Sequence, residues 1–276
     1  MTYSTVMVGL SVNQANEARL EIAGQLAERF GARIIGVSAA EFSPPLYFTS
    51  GEQAEKLVDQ SRAAIKNSVA GLEGEFRATM KGRVTEVEWR CSEDFPARYI
   101  VQEARAADIV VVGEASRSTI GDSFAQINPG DLVMQASRPL LVVPDTCSWL
   151  DLRSVVIAWK DTAEARRAAA DALPMLRKST DVTVVEIVEG PANRPAALSR
   201  VKDVVSWLSR HGVSAAERVS DACGETGLQL ETIASEVGAG VVVAGAYGHS
   251  RLREWILGGV TQRLIRPSNR CALLSR

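Results

Sequence analysis

The feature that most constrains this chain is an internal duplication. A short apolar run closing on a glycine, Ile-Val-Val-Val-Gly, ends at Gly113, and a second, Val-Val-Val-Ala-Gly, ends at Gly245, 132 positions later. Ser137-Arg138 and Asn269-Arg270 stand at the same separation. Runs of this length and β-branched content mark strands buried on both faces, which occur where helices cover a parallel sheet from both sides. A repeated order of strands and helices therefore predicts two α/β units of one design.

The first copy predicts strands at Thr5 to Leu10, Arg33 to Ala39, Val84 to Cys91, Asp108 to Gly113 and Pro139 to Val143. Amphipathic helices are expected over Gln14 to Phe30, stopped by Gly31, and over Glu52 to Met80, Phe95 to Ala106 and Leu132 to Ala136. Residues 41–51, with Pro44-Pro45, read as a loop. The second copy predicts strands at Ser154 to Trp159, Val182 to Val188, Ala215 to Val219, Val241 to Ala244 and Cys271 to Leu274. Its helices are expected over Ala163 to Leu176, Ala196 to His211, Glu225 to Val237 and Val260 to Ile265, the last helped to its end by Pro267. A polar segment from Pro144 to Leu152 is the expected hinge, dividing the chain into units 1–146 and 152–276.

Composition narrows the function classes. A net charge of −2 and 5% aromatic residues give no footing to general nucleic-acid binding or base stacking. The apolar runs are too short to span a bilayer and Met-Thr-Tyr-Ser carries no basic leader, so a cytoplasmic location is expected. Cys91, Cys147, Cys223 and Cys271 are scattered without metal-ligand or Cys-x2-Cys spacing and read as inert thiols. No Ser/His/Asp set, paired-carboxylate motif or metal cluster stands at a recognisable spacing.

One stretch carries chemistry. After the Val241 strand come Gly245 and Gly248, then Gly258, Gly259, Val260 and Thr261 at the start of a helix. Glycines admit close approach of a ligand to the backbone, a helix start offers free N–H groups, and the Thr261 hydroxyl adds a donor. Together they describe a phosphate cradle. The Walker and dinucleotide glycine patterns occur nowhere in the chain.

The spacing Gly-x2-Gly-x9-Gly-small-x-Thr after a buried strand resembles the nucleotide-binding motif of the universal stress proteins, and with the duplication the resemblance covers nearly the whole chain in tandem form. It implies a five-stranded parallel sheet in each half with helices on both faces, Rossmann-like and akin to the adenine nucleotide alpha hydrolases. It implies ATP as ligand, with Mg²⁺ carried through the phosphates, over the strand ends of the second half. The residues it marks there are Ala158, Trp159, Lys160, Ile187, Val219, Ala244, Gly245, Gly248, Gly258, Gly259, Val260 and Thr261. In the family the fifth strands pair domains, so the resemblance also implies pairing of Pro139 to Val143 with Cys271 to Leu274 within one chain, or a homodimer.

The departures are specific. Lys160 takes the place of the family's first-strand aspartate and Gly259 that of a serine. In the first half Ser11 stands at the aspartate position, and Ser116, Gln126, Ile127 and Pro129 replace Gly248, Gly258, Gly259 and Thr261. Bulky residues narrow the approach and Pro129 removes an N–H, so the first site is expected to be degenerate. The leading expectation is a stress-response binding protein with ATP in its second half. Alternatives are a slow ATP hydrolase or phosphotransferase using Lys160, Asp161 or His249, and a nucleotide-free scaffold. A lone His249 on a glycine loop reads first as solvated, and His211 as a favourable cation at a helix end.

Overall fold

The computed structural model describes residues 2–12, 14–41, 52–115, 127–246, 259–266 and 268–276. In the first half, strands β1 (Thr5–Leu10), β2 (Arg33–Ala39), β3 (Val87–Ser92), β4 (Ile109–Gly113) and β5 (Leu140–Val143) alternate with helices α1 (Glu17–Phe30), α2 (Glu52–Met80), α3 (Pro96–Glu103) and α4 (Pro129–Gln135). The second half has β6 (Ser154–Ala158), β7 (Asp181–Val188), β8 (Ala215–Asp221), β9 (Val241–Gly245) and β10 (Cys271–Ser275). Its helices are α5 (Ala163–Asp171), α6 (Leu173–Leu176), α7 (Arg194–Arg210), α8 (Thr226–Glu236) and α9 (Gly259–Leu264).

The ten strands of the described residues join one sheet in the order β3-β2-β1-β4-β5-β10-β9-β6-β7-β8. Within each half every pairing is parallel. The halves meet at β5 and β10, which run antiparallel with Ala272 opposite Val142 and Leu274 opposite Leu140. The fifth strands thus pair within the chain. Because that seam reverses direction, the carboxyl ends of the two sets of strands open at opposite edges of the sheet.

Strand positions follow the apolar runs. Ile109 to Val112 and Val241 to Val243 are fully buried, as expected where both faces of a sheet are covered. One face carries α1, α2, α5, α6 and α7 over a core that includes Val8, Leu26, Phe76, Ile157 and Val243. The other carries α3, α4, α8 and α9 over Met7, Ile100, Val112, Ala244 and Leu264. Gly31 closes α1 at φ 60°, with the Ala32 N–H returning to the Ala27 carbonyl.

Several element limits differ from the periodic reading. The helix expected over Ala163 to Leu176 is two, because Pro174 has no N–H to continue the ladder and the chain breaks at Ala172 between α5 and α6. The helix expected over Phe95 to Ala106 tightens to a 3₁₀ turn at Ala104–Ala106. The third strand begins at Val87 rather than Val84. The loop over 42–51 and Pro267 lie outside the described residues.

The hinge is fastened. The buried Gln25 amide donates to the Ser148 carbonyl at 2.9 Å and accepts from the Leu150 N–H at 2.8 Å, pairing with the linker as another strand's peptide group would. Across the halves, the Tyr3 hydroxyl donates to the Asp171 carbonyl at 2.6 Å. No helix among the described residues is long and apolar enough to cross a membrane.

Candidate functional site

In an open parallel sheet, ligands collect beyond the carboxyl ends of the strands, where neighbouring connections diverge to opposite faces. In the second half that point lies between β6 and β9, whose ends meet with Ala158 opposite Ala244. A cavity of about 770 Å³ opens there. Ala158, Trp159, Lys160, Ile187, Ala244, Gly245, Gly259, Val260 and Thr261 all line it. Residues distant in sequence and selected for one site are thereby brought together.

Its floor is apolar, formed by Ala158, Val185, Ile187 and Ala244. Trp159 lines one side, its backbone N–H donating to the Val185 carbonyl at 2.8 Å. Thr261, on the first turns of α9, is only 3% exposed yet lines the cavity. At Gly259 a side chain would meet no neighbour within 4 Å, so its hydrogen faces open space.

Gly245 has a different cause. A Cβ there would stand 2.5 Å from the Ala165 nitrogen and 2.6 Å from the Glu164 carbonyl carbon, so the glycine seats the start of α5 directly on β9. Thr162 caps that helix, accepting from the Ala165 N–H at 3.3 Å, and lines the cavity as well.

Val219 is not brought to the cavity. Its side chain is buried on the other face of the sheet, among the residues that pack with Val184 and Val188. Neither Val219 nor its β8 neighbours Arg218 and Ser220 are among the residues that line the cavity. Gly248, Gly258 and His249 lie outside the described residues, as do Ser116 and Gln126 of the first half.

Sequence reasoning missed part of the wall. Gly224, Glu225, Thr226 and Gly227 line the cavity at the start of α8, where Gly224 takes φ 92° and no side chain caps the helix. The Glu225 side chain leaves the N–H groups of the first turn of α8 uncapped, and no hydrogen bond from them to a side chain is made among the described residues. A Cβ on Gly227 would stand 3.0 Å from the Arg263 Cβ, so this glycine lets α8 approach α9, where Arg263 pairs with Glu231 at 2.6 Å. The signal was present as Gly-Glu-Thr-Gly before an apolar periodic run.

The charges are unevenly committed. Buried Glu186 holds Arg200 of α7, whose Nε lies 3.4 Å from the carboxylate, and this bond raises the arginine's already high pKa. Asp161 pairs with Arg166 at 2.5 Å. Lys160 is exposed; its carbonyl accepts from the Thr162 N–H at 2.7 Å, while its ammonium makes no hydrogen bond or ion pair among the described residues. Lys160 is thus a cation among the residues that line the cavity. Among the described residues there is no group of three or more His, Cys, Asp or Glu side chains able to hold a metal ion.

The corresponding strand ends of the first half are occupied by the chain itself. Arg19, 3% exposed, lies over Gly113, where a Cβ would stand 2.8 Å from its Nε. Its guanidinium donates to the Ala15 carbonyl at 2.5 Å and to Gln14 at 3.3 Å, and burial lowers its pKa. Ser11 is tied to Asn16 through its N–H at 3.1 Å, and the Asn16 amide returns to the Ser11 carbonyl at 2.9 Å. Ile127 packs toward Gly9. Asn128 accepts from the Gly130 N–H at 2.9 Å and Pro129 opens α4, so the helix donors are either removed or used internally.

Comparison with known proteins fits this architecture. The model of the universal stress protein family matches residues 2–144. The chain belongs to the universal stress protein family. The matched stretch ends where the hinge begins, so the cavity lies beyond it. A universal stress protein from Archaeoglobus fulgidus DSM 4304 superposes with a TM-score of 0.73 at 12% identity, over 98% of this chain and 96% of that one. A functionally unknown protein from Pseudomonas aeruginosa PAO1 gives a TM-score of 0.60 at 11% identity, over 99% of this chain and 92% of that one. At such identities the likeness is one of fold, and it covers both halves of the chain. A universal stress protein solved in complex with cAMP is 23% identical over 52% of this chain and 98% of its own, with a TM-score of 0.36. None of the curated proteins compared with the chain matches it.

Proposed function

We propose that this universal stress protein is a regulatory nucleotide-binding protein that holds ATP in its second half, residues 152–276, while residues 1–146 form a domain whose own site has been lost. The observation that carries this reading is the cavity at the ends of β6 and β9, where nine residues selected from the sequence converge. Its volume of about 770 Å³ falls within the range of about 300–1,000 Å³ usual for small-molecule sites.

The residues present suit a nucleotide. An apolar floor of Ala158, Ile187 and Ala244 offers a surface for a base. The Thr261 hydroxyl, the backbone at Gly259 and the N–H groups opening α8, which no side chain caps among the described residues, are donors for phosphate oxygens. Lys160 adds a positive charge at the rim. Mg²⁺ would come with the phosphates rather than from a protein-built site. In the first half Arg19, Asn16 and Ile127 occupy the equivalent ground.

Two measurements test the proposal. Mass spectrometry of the protein as purified should find an adenine nucleotide, unchanged on standing. Titration calorimetry should give one ATP per chain. Two equivalent sites, or heat of binding unaffected by a bulky substitution at Gly259, would overturn it.

A further inference from the structure

Among the four cysteines, two meet. Cys147 lies in the hinge and Cys271 opens β10, and their sulfurs are 3.8 Å apart across 124 positions of chain. Such a separation leaves no sequence signature. Cys271 is fully buried, bonded through its N–H to the Gly240 carbonyl at 3.2 Å. Cys147 is half-buried in a turn closed by its own N–H to the Pro144 carbonyl at 3.0 Å, with Asp145, Thr146, Ser148 and Trp149 exposed around it. The turn is already fastened to the approach of β10, since the Thr146 hydroxyl donates to the Ser268 carbonyl at 3.3 Å.

We propose that Cys147 and Cys271 are a peroxide-responsive thiol pair that closes reversibly to a disulfide, stapling the hinge to the central strand β10. A disulfide needs the sulfurs about 2.05 Å apart. The remaining displacement falls on Cys147, which sits in a surface turn, while Cys271 is held by the sheet. Reactivity is divided in the same way. The hydrogen bond from Cys271 lowers the Cys147 pKa from 9.0 to about 7, whereas that pairing and burial push Cys271 well up. Cys147 is thus the accessible thiolate, and Cys271 the protonated resolving thiol behind it.

The chemistry balances with a hydroperoxide as the oxidant. The Cys147 thiolate attacks one peroxide oxygen, the O–O bond breaks, and the departing oxygen takes a proton to leave as water or alcohol. The resulting sulfenic acid is attacked by the Cys271 sulfur. An S–S bond forms, and the sulfenic hydroxyl departs with the Cys271 proton as water. The two thiols lose two electrons and two protons in all. The product is a covalent ring enclosing residues 148–270, nearly the whole second half, and it restricts the unfolded chain.

The test uses the full chain. Brief treatment with a small excess of hydrogen peroxide, alkylation and peptide mapping should recover Cys147 joined to Cys271 as the main product. Dithiothreitol should restore both thiols. On a denaturing gel without reductant the oxidised chain should run ahead of the reduced one, and a Cys147→Ser variant should lose that shift. The exposed cysteines serve as internal controls, since Cys91 and Cys223 should remain unlinked to either. Recovery of Cys147 as sulfinic acid with Cys271 free, or oxidation confined to Cys91 and Cys223, would overturn the proposal.

Discussion

Gly245 and Ala165 are in van der Waals opposition: a methyl group on the glycine would stand 2.5 Å from the Ala165 nitrogen. The obstacle is backbone on both sides, so relief requires α5 to move off β9. Gly245→Ala should cost about 1–3 kcal/mol, the usual penalty of overpacking, read as a lower urea midpoint. Since α5 begins beside the cavity, nucleotide binding should weaken in the same variant. An unchanged midpoint would mean that α5 is not seated as described.

Thr261 tests the proposal that its end of the cavity takes phosphate. Thr261→Val keeps the shape and removes the hydroxyl, and should weaken ATP binding by about 1–2 kcal/mol, the worth of one hydrogen bond to a charged group. Thr261→Ser should bind nearly as the native protein does. Calorimetry on the three proteins decides between a donor to phosphate and a residue that merely packs.

Lys160 tests how the proposed site would divide its recognition between base and phosphate. An ammonium accepts no hydrogen bond, so it cannot replace a carboxylate on a ribose, but it attracts phosphate oxygens. ATP and GTP should therefore bind within about tenfold of each other, or ~1.4 kcal/mol. Affinity should decline from triphosphate to monophosphate and with added salt. Lys160→Asp should reverse these trends. Strong native preference for ATP together with an indifferent Lys160→Ala variant would assign the lysine to solvent.

Tyr3 links stability to alkaline pH. Burial raises its phenol above the ordinary 10.0, with help from the nearby Asp171 carboxylate. A raised folded-state pKa favours the protonated form, so its contribution is complete below pH 10 and is lost as pH rises beyond the unfolded value. Denaturation followed from pH 8 to pH 11 should show a steeper loss in the native chain than in Tyr3→Phe. The variant should be about 1 kcal/mol less stable at neutral pH, from loss of the bond to the Asp171 carbonyl. Parallel curves would remove Tyr3 from this role.

Much of the fold was legible because both faces of the strands are buried. Val110 to Val112 and Val241 to Val243 need no solvent-facing partner, so their composition announces them. The tandem order was equally plain in the shared separation of Gly113 and Gly245. The cavity was partly legible. Lys160 and Thr261 follow from strand ends and helix starts, which are local. Contacts between elements left weaker traces: Gly245 reads as a ligand glycine and lines the cavity, but it also seats a helix, and Val219 belongs to a strand whose residues do not line the cavity. Arg19 over Gly113 and the meeting of Cys147 with Cys271 depend on tertiary packing alone.

The seam between β5 and β10 also has a consequence for concentration. Two separate subunits joined edge to edge come apart on dilution, and their partnership obeys mass action. Here the two halves are joined by a fastened hinge, so each finds its partner at an effective concentration fixed by a few residues of linker. Dilution, subunit exchange and mixing with other chains cannot separate them. Unequal halves are then stable company: one can give up its ligand site without being replaced by a copy that has kept it.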